Sequence, residues 1–273
     1  MNTAAHTILA QFEKFLESIP LENYRNELLS VKTVEQDLPR SLNPLPAIYG
    51  AYWTDTVKEF PSYEQFFTQW WESKLPAIDE FVRKYFWGCS WEFVRLGFKA
   101  RLYRTAISVL TQFHFCYAWK AYCVSPLTAS WELDLKGVDA EVVVEGVKIA
   151  LQIKKETYRS EAGAGGRFAR RQQEYPMVIE IPYTLTRPQE WLQRIQRVRS
   201  ESRREQARLF YLCASHFQRW LENGFVVFNP EYPVATEQFI KRRIKQRTAS
   251  SEFLEWHSVI ADIQNQRVEE AAE

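Results

Sequence analysis

The residues with the clearest catalytic potential lie in one short segment, 131–155. Asp134 and Asp139 come first, and Gln152 and Lys154 follow near the end of the segment. Carboxylate and amide oxygens are ligands that hard cations such as Mg²⁺ prefer. A lysine beside such a cation can stabilise negative charge that develops on a phosphate, or help to position a nucleophilic water. These are the residue types that phosphodiester hydrolysis requires.

The spacing of these residues fits a β-hairpin that turns at Glu145-Gly146. In that hairpin Asp139 faces Gln152, and Lys154 lies one diagonal step along the same face. The opposite face is apolar and consists of Val138, Ala140, Val142, Val144, Ile149, Leu151 and Ile153. A one-residue slip would mix the two faces, so burial of the apolar face supports this register. A bulge near the turn would shift the register by one residue.

The hairpin resembles the PD-(D/E)XK nuclease motif, in which an Asp and an acid-x-Lys lie on paired strands. By that match Asp139 is the motif Asp, and 152–154 stand for acid-x-Lys. The motif proline is absent, and Gln152 replaces the second acid, which removes a charge from the metal site. Asp134 could restore that charge, and Glu141 is a weaker substitute. The spacing alone supports a nuclease site and a solvated sheet face equally.

The wider sequence resembles the TaqI restriction endonuclease family. The runs that carry this resemblance are 31–39, 42–46, 92–98, 101–105, 110–116, 134–141, 151–155 and 220–228. Together they extend from about residue 10 to about residue 230. The resemblance implies a type II restriction enzyme that binds double-stranded DNA at the palindrome TCGA and cuts it with Mg²⁺.

The same resemblance implies roles for individual residues. The two catalytic acids, which also hold the metal, would be Asp134 and Asp139, followed by the lysine pair Lys154-Lys155. Strand alternation favours Lys154 on the acidic face, whereas Lys155 could swing round where the strand ends. The Gln152 amide would add a further oxygen ligand. A palindromic site favours a homodimer, and restriction implies a cognate DNA methyltransferase as a functional partner.

A glycine-rich, basic segment at 158–171 follows the catalytic strand directly. We expect it to order on DNA, with arginines that read guanine or grip phosphate. The candidates are Arg159, Arg167, Arg170 and Arg171. The alternative is a flexible, solvated loop. A second basic run, 241–247, fits phosphate contacts and an exposed helix face equally well.

Two further residues invite weaker predictions. Glu92 precedes the strands at the start of a long helical stretch and could reach the metal site through the fold. His114 lies in an aromatic run, which favours a satisfied core histidine over a metal ligand.

Hydrophobic periodicity predicts the elements that must position the candidate residues. Helical spacing predicts helices over 7–30 (ended at Pro20), 62–71, 77–85, 91–122, 188–208, 207–221, 236–247 and 252–265. Alternating or β-branched runs predict strands over 131–135, 138–145, 147–154, 177–183 and 225–228. We therefore expect an α/β fold: a PD-(D/E)XK restriction-endonuclease-like core with a small central mixed sheet flanked by helices, plus a largely helical N-terminal region. Its divisions would be 1–90, 91–230 and 231–273, packed as one compact unit.

Composition narrows the function classes only slightly. The net charge of +1 gives no global basic signal, but acids of a metal site offset lysine and arginine in such a sum. The four cysteines have no zinc-ligand spacing and are expected to be reduced, buried thiols. No apolar stretch approaches the length of about 18 residues that spans a membrane, so we expect a cytoplasmic protein.

Two other functions remain open at this stage. One is a repair or recombination nuclease on the same core, which would share the acids and the lysine but differ in its DNA-reading loops. The other is a non-catalytic DNA-binding protein whose acidic face is only solvated.

Overall fold

The computed structural model describes residues 3–31, 38–155, 174–246, 252–254 and 260–263. They contain both helices and strands, so the predicted mixed α/β class is confirmed. The chain divides into two compact units. One, the sheet unit, comprises 115–219 and 226–273, and the other, the helical unit, comprises 3–114 and 220–225. The division into 1–90, 91–230 and 231–273 stays a prediction.

The helices of the described residues begin with α1 and end with α9. They are α1 (Thr3–Ser18), α2 (Leu21–Leu28), α3 (Leu45–Tyr52), α4 (Tyr63–Tyr85), α5 (Trp91–Tyr122), α6 (Trp131–Leu135), α7 (Pro188–Arg197), α8 (Glu201–Leu212) and α9 (Glu231–Gln246). Shorter helical segments are a 3-10 turn at Arg40–Leu42, a π-helical turn at Cys213–Phe217 and residues 260–263. None of the described helices has the length and apolar character that crossing a bilayer requires.

Seven strands lie in the described residues. They are β1 (Leu127–Thr128), β2 (Ala140–Val144), β3 (Val147–Lys155), β4 (Met177–Tyr183), β5 (Gln218–Trp220), β6 (Val226–Phe228) and β7 (Glu252–Leu254). The main sheet has the order β1-β2-β3-β4-β7, and β5 pairs with β6 separately. The pairs β1–β2 and β2–β3 are antiparallel, whereas β3–β4 and β4–β7 are parallel. The main sheet is therefore mixed, as predicted.

The β2–β3 hairpin has the predicted register. Val144 pairs with Val147, and Ala140 pairs with Leu151. The two turn residues, Glu145-Gly146, have φ values of 48° and 78°. Positive φ at both central positions is typical of a type I′ turn, which suits a two-residue hairpin and needs a glycine or a similarly permissive residue. The apolar face of the hairpin is buried, as its alternation predicted.

Val138 is buried but does not continue that apolar face. It packs with Ala150, Tyr175 and Val178, and Leu133 packs against the same cluster. The reason is that β2 begins only at Ala140, and the Val138 N–H donates to the carbonyl of Leu133 at 2.9 Å rather than to β3.

The strand predicted over 131–135 is wrong, because these residues form helix α6. Ser130 caps the helix: its hydroxyl accepts the N–H of Leu133 at 3.3 Å. Glu132 and Asp134 lie in the first turn, where acidic side chains complement the helix dipole. The local capping chemistry therefore outweighs the alternating pattern of this short segment.

Three helix predictions also need correction. Residues 252–254 lie in β7, which pairs in parallel with β4, rather than in a helix. The helices predicted over 188–208 and 207–221 are interrupted: α7 ends at Arg197, α8 ends at Leu212, and β5 follows the π-helical turn. Strand pairing between distant segments is a tertiary effect that local periodicity does not reveal.

Aromatic side chains build the core beside the end of β4. The Tyr183 ring contacts Phe228 with ring centroids 6.0 Å apart, and Phe228 contacts Phe115 of α5 at 5.3 Å. Tyr232 of α9 also contacts Phe228, at 5.9 Å. The Tyr232 hydroxyl donates to the carbonyl of Pro182 at 3.1 Å. These contacts fix the end of β4 that lies beside the candidate site.

The helical unit has its own aromatic core. Phe15 stacks on Tyr52 at 5.2 Å, and Phe12 meets Phe60 edge-on at the same distance. His114 is fully buried, and its Nε2 lies 2.8 Å from Glu13 Oε1. The prediction that this histidine is a satisfied core residue is confirmed.

Candidate active site

The hairpin brings Asp139 to the end of the sheet where β3 finishes. The Asp139 N–H donates to the carbonyl of Leu151 at 3.0 Å, so the backbone ladder extends one residue beyond β2. In return, the Ile153 N–H donates to Asp139 Oδ2 at 2.5 Å. The carboxylate is thus fixed at the open end of the hairpin by a charge-assisted hydrogen bond.

Gln152 lies beside Asp139 and is buried, with only 1% of its surface exposed. Its Nε2 donates to the carbonyl of Gly137 at 2.8 Å. Its Oε1 is buried and accepts no hydrogen bond from the described residues. A buried acceptor without a donor costs about 1–3 kcal/mol, so this oxygen suits a ligand such as a water or a hard cation.

Glu180 of β4 is a site residue that the sequence analysis missed. Its backbone pairs with that of Gln152 in the parallel β3–β4 ladder. Its carboxylate is largely buried and forms an ion pair and hydrogen bond with Lys154 Nζ. The signal was present, because Glu180 is the single charged residue of the otherwise apolar strand Met177–Tyr183. A charge in a fully buried strand needs a partner, and here that partner is the candidate catalytic lysine.

Lys154 and Lys155 lie on opposite faces of β3. The backbone of Lys154 pairs with Pro182, and that of Lys155 still pairs with Tyr183, so the strand continues through both lysines. Lys154 shares the face of Gln152 and Glu180 and is partly exposed, whereas Lys155 is exposed on the other side. The structure therefore brings Lys154, and not Lys155, to the acidic face.

Asp134 lies on α6, and the loop after α6 leads directly to Asp139. The Gly137 N–H donates to the carbonyl of Asp134 at 2.7 Å, and Gly137 has a φ of 77°. Because Gln152 holds the Gly137 carbonyl, one amide side chain ties this loop to β3. Leu133 packs against the cluster that contains Ala150. This contact places α6 on the face of the sheet that carries Ala150, Gln152 and Lys154.

A sequence model of the TaqI restriction endonuclease family matches residues 9–240 of the chain. Type II restriction enzyme TthHB8I of Thermus thermophilus is 51% identical over 259 residues, covering 94% of this chain and 96% of the relative. Type II restriction enzyme TaqI of Thermus aquaticus is 50% identical over 243 residues, covering 88% and 91%. The chain belongs to the TaqI restriction endonuclease family. No solved structure matches it.

Membership of this family confirms the resemblance seen in the sequence and the predicted enzyme class, a DNA endonuclease. The structure separates the acidic residues into different environments. Glu141 accepts a hydrogen bond from the Tyr175 hydroxyl at 3.0 Å and pairs with Lys148 at 2.9 Å. Burial raises the pKa of Tyr175, and its hydrogen bond to Glu141 raises it further. Glu141 is therefore engaged away from Lys154.

Glu92 lies exposed in the first turn of α5 and belongs to the helical unit. Its predicted reach to the metal site stays a prediction. Among the residues that the structure describes, no group of three or more His, Cys, Asp or Glu side chains is arranged to hold a metal ion.

The four cysteines are reduced thiols, as expected, although they are not all buried. Cys116 and Cys213 are buried, Cys123 is partly exposed and Cys89 is exposed. Burial raises the pKa of the Cys116 thiol, and the negative charge of Asp139 adds to that effect. A protonated, buried thiol is neither a nucleophile nor a metal ligand at neutral pH.

The predicted DNA-binding arginines, Arg159, Arg167, Arg170 and Arg171, lie outside the described residues. The second basic run lies largely in α9. There Lys241 lies 3.4 Å from Glu237, and Arg242 lies 3.8 Å from Asp262. Part of this run is therefore paired within the sheet unit, which favours a structural face over phosphate contacts.

Proposed function

We propose that this endonuclease is a type II site-specific deoxyribonuclease that cuts double-stranded DNA at TCGA by Mg²⁺-dependent hydrolysis. The observation that carries the proposal is the convergence of Asp139, Gln152 and Lys154 on one end of the sheet in a chain of the TaqI family. The sequence TCGA comes from the resemblance to that family.

The oxygen atoms of Asp134, Asp139 and Gln152 are of the kind that a magnesium ion prefers. Asp134 and Asp139 would supply carboxylate oxygens, and Gln152 would supply the buried Oε1 that no described residue satisfies. Bound there, Mg²⁺ would polarise the scissile phosphate and neutralise part of its charge. The amide is uncharged, so the metal site depends on the two aspartates for its negative charge.

The chain's own residues prepare the site for hydrolysis. The backbone N–H of Ile153 holds the Asp139 carboxylate, and the amide of Gln152 holds the loop behind Asp134. Lys154 would stabilise the negative charge that grows on the phosphate oxygens as water attacks. The backbones that carry Gln152 and Lys154 are fixed by strand pairing, so little backbone reorganisation is needed when DNA binds.

The mixed sheet supports assignment to the PD-(D/E)XK class. An antiparallel hairpin carries the Asp and the Gln-x-Lys, and the second strand of that hairpin continues into a parallel pair with β4. We propose this class for the sheet unit, with Gln152 in the position of the second acid.

DNA recognition is assigned to the segment that follows β3. Arg159, Arg167, Arg170 and Arg171 would contact bases and phosphates. Two copies of the enzyme would match the two-fold symmetry of TCGA, so we propose a homodimer on DNA. A cognate methyltransferase would protect the same site, and the reaction would take place in the cytoplasm.

Digestion of a plasmid of known sequence tests the proposal. Wild-type protein with Mg²⁺ should give discrete fragments whose ends map to TCGA, and Asp139→Ala should slow cleavage about a thousandfold or more. Lys154→Ala should slow it by about 100-fold or more, and Lys148→Ala, on the same face of β3, serves as the control.

Folded wild-type protein that cuts nothing with any divalent metal would refute the proposal. Unchanged cleavage by Lys154→Ala together with loss in Lys155→Ala would move the role to Lys155.

A further inference from the structure

Glu180 is an acidic residue in a buried strand, which is an unfavourable environment for a charge. Every residue of β4 is buried, and the side chain of Glu180 is only 11% exposed. Its neighbours Ile179 and Ile181 are fully buried apolar residues. For stability alone, another apolar side chain would serve better at this position than a carboxylate.

The surroundings of Glu180 belong to the catalytic face. Its backbone pairs with Gln152, and its carboxylate binds the ammonium group of Lys154. Lys154 is the more mobile partner by chemistry, because its side chain is long, flexible and 43% exposed. A carboxylate fixed on a buried strand is therefore suited to hold that ammonium group in one position.

We propose that Glu180 is a positioning residue that holds Lys154 for DNA hydrolysis. The proposal rests on the proposed function, in which Lys154 stabilises the charge that develops on the phosphate. Glu180 acts through Lys154 and not through the hairpin acids.

A double-mutant cycle distinguishes action through Lys154 from an independent role. Glu180→Gln, Lys154→Ala and the double variant are compared with wild type in cleavage of a TCGA duplex. Glu180→Gln should lower kcat by about 10- to 100-fold and change KM by less than about threefold. The double variant should cut no more than about threefold slower than Lys154→Ala, because the carboxylate has no function once the lysine is gone. Glu180→Asp should recover part of the rate.

Two measurements separate positioning from loss of structure. Glu237→Gln is a matched control, since Glu237 is also a buried acid of the sheet unit that pairs with a lysine, Lys241. It should lower the thermal stability about as much as Glu180→Gln and leave kcat within about threefold. Binding of the TCGA duplex without divalent metal should be unchanged or up to about fivefold tighter in Glu180→Gln, because a negative charge near the phosphate is removed.

The outcomes that overturn the inference differ from those that overturn the proposed function. Full activity of Glu180→Gln, or losses that multiply in the double variant, would refute positioning through Lys154. Weaker DNA binding by Glu180→Gln, or an equal loss of kcat in Glu237→Gln, would reduce its role to general structure. Wild-type protein that fails to cut would instead refute the proposed function itself.

Discussion

At the scale of single residues, the site depends on how buried polar atoms are satisfied. Gln152 places one end of its amide on the Gly137 carbonyl and leaves the other end, Oε1, for a ligand. Asp139 is held by a backbone N–H, and Lys154 by Glu180. Asp139, Gln152 and Lys154 are thus each held by a group from a neighbouring strand or loop. The net charge of these groups is therefore set by the Asp139 carboxylate and by the Lys154–Glu180 ion pair.

Replacement of Gln152 by glutamate should make the stability of the protein depend on metal. The new carboxylate cannot donate to the Gly137 carbonyl and would face it at hydrogen-bond distance. We expect Gln152→Glu to lower the free energy of unfolding by about 1–3 kcal/mol in a chelator. Mg²⁺ should raise the Tm of the variant by more than that of wild type, because binding to the folded state is stabilising. Thermal unfolding with chelator and with Mg²⁺ measures both effects.

Gln218→Glu is the matched control for that experiment. Gln218 is a buried glutamine of the same unit, and both ends of its amide are hydrogen-bonded to the backbone of Thr184, at 2.9 and 2.8 Å. The Gln218→Glu variant should be less stable than wild type, and Mg²⁺ should not restore its stability. An equal response to Mg²⁺ in both variants would argue against a metal site at Gln152.

At the scale of elements, α6 and the hairpin decide where the acids lie. Ser130 caps α6, Gly137 lies in the turn after it, and Asp139 enters the ladder. Asp134 therefore lies on a helix, and one short turn separates that helix from Asp139. A substitution at the beginning of α6 should therefore alter the position of Asp134 without altering the sheet.

Ser130→Ala should weaken both the helix and catalysis. Loss of the hydrogen bond from the Leu133 N–H to the serine hydroxyl should destabilise the protein by about 0.5–2 kcal/mol. Because α6 carries Asp134, the concentration of Mg²⁺ that gives half-maximal cleavage should rise several-fold. Ser130→Asp, which restores a capping acceptor, should behave like wild type in a magnesium titration. Identical titrations for Ser130→Ala and wild type would show that α6 does not support the metal site.

Asn223 should be the side chain that secures the end of α1 in the helical unit. Its Nδ2 donates to the carbonyls of Leu16 at 2.8 Å, Glu17 at 3.1 Å and Ile19 at 2.9 Å. Asn223→Ala leaves these carbonyls without that donor and should cost about 1–3 kcal/mol in denaturant unfolding. Asn223→Asp, which keeps the size but removes the donor, should cost at least as much. A midpoint unchanged in both variants would contradict the assignment.

The sequence predicted the hairpin better than its surroundings, and the reason is physical. Alternation and the Glu145-Gly146 turn are local properties, so the register followed from a few adjacent residues. The strand prediction for 131–135 was wrong because a run of five residues fits a strand pattern and a capped helix equally well. Glu180 was missed because its pairing with Lys154 depends on a parallel ladder between segments far apart in the chain. Non-local pairing of this kind has no periodic signal.

At the scale of the whole molecule, DNA affinity must arise from local charge. The net charge is +1, so the chain as a whole attracts a polyanion only weakly. Acids of the candidate site add repulsion near the scissile phosphate, and part of the basic run of α9 is paired within the sheet unit. The basic segment 158–171 should therefore supply much of the phosphate contact.

Salt dependence of binding tests that assignment directly. Each lysine or arginine that neutralises a phosphate releases condensed counterions, so log K falls with log salt by about 0.9 per contact. Arg170→Ala and Arg171→Ala should each reduce the slope by about 1 if the residue grips phosphate, and should weaken binding to all sequences alike. Substitution of an arginine that reads guanine should instead lower the preference for TCGA by about 1–3 kcal/mol per contact.

Lys241→Ala, at a residue paired with Glu237, should leave the slope unchanged. If Lys241→Ala lowers the slope and the arginine variants do not, α9 and not the segment after β3 lies against the DNA backbone.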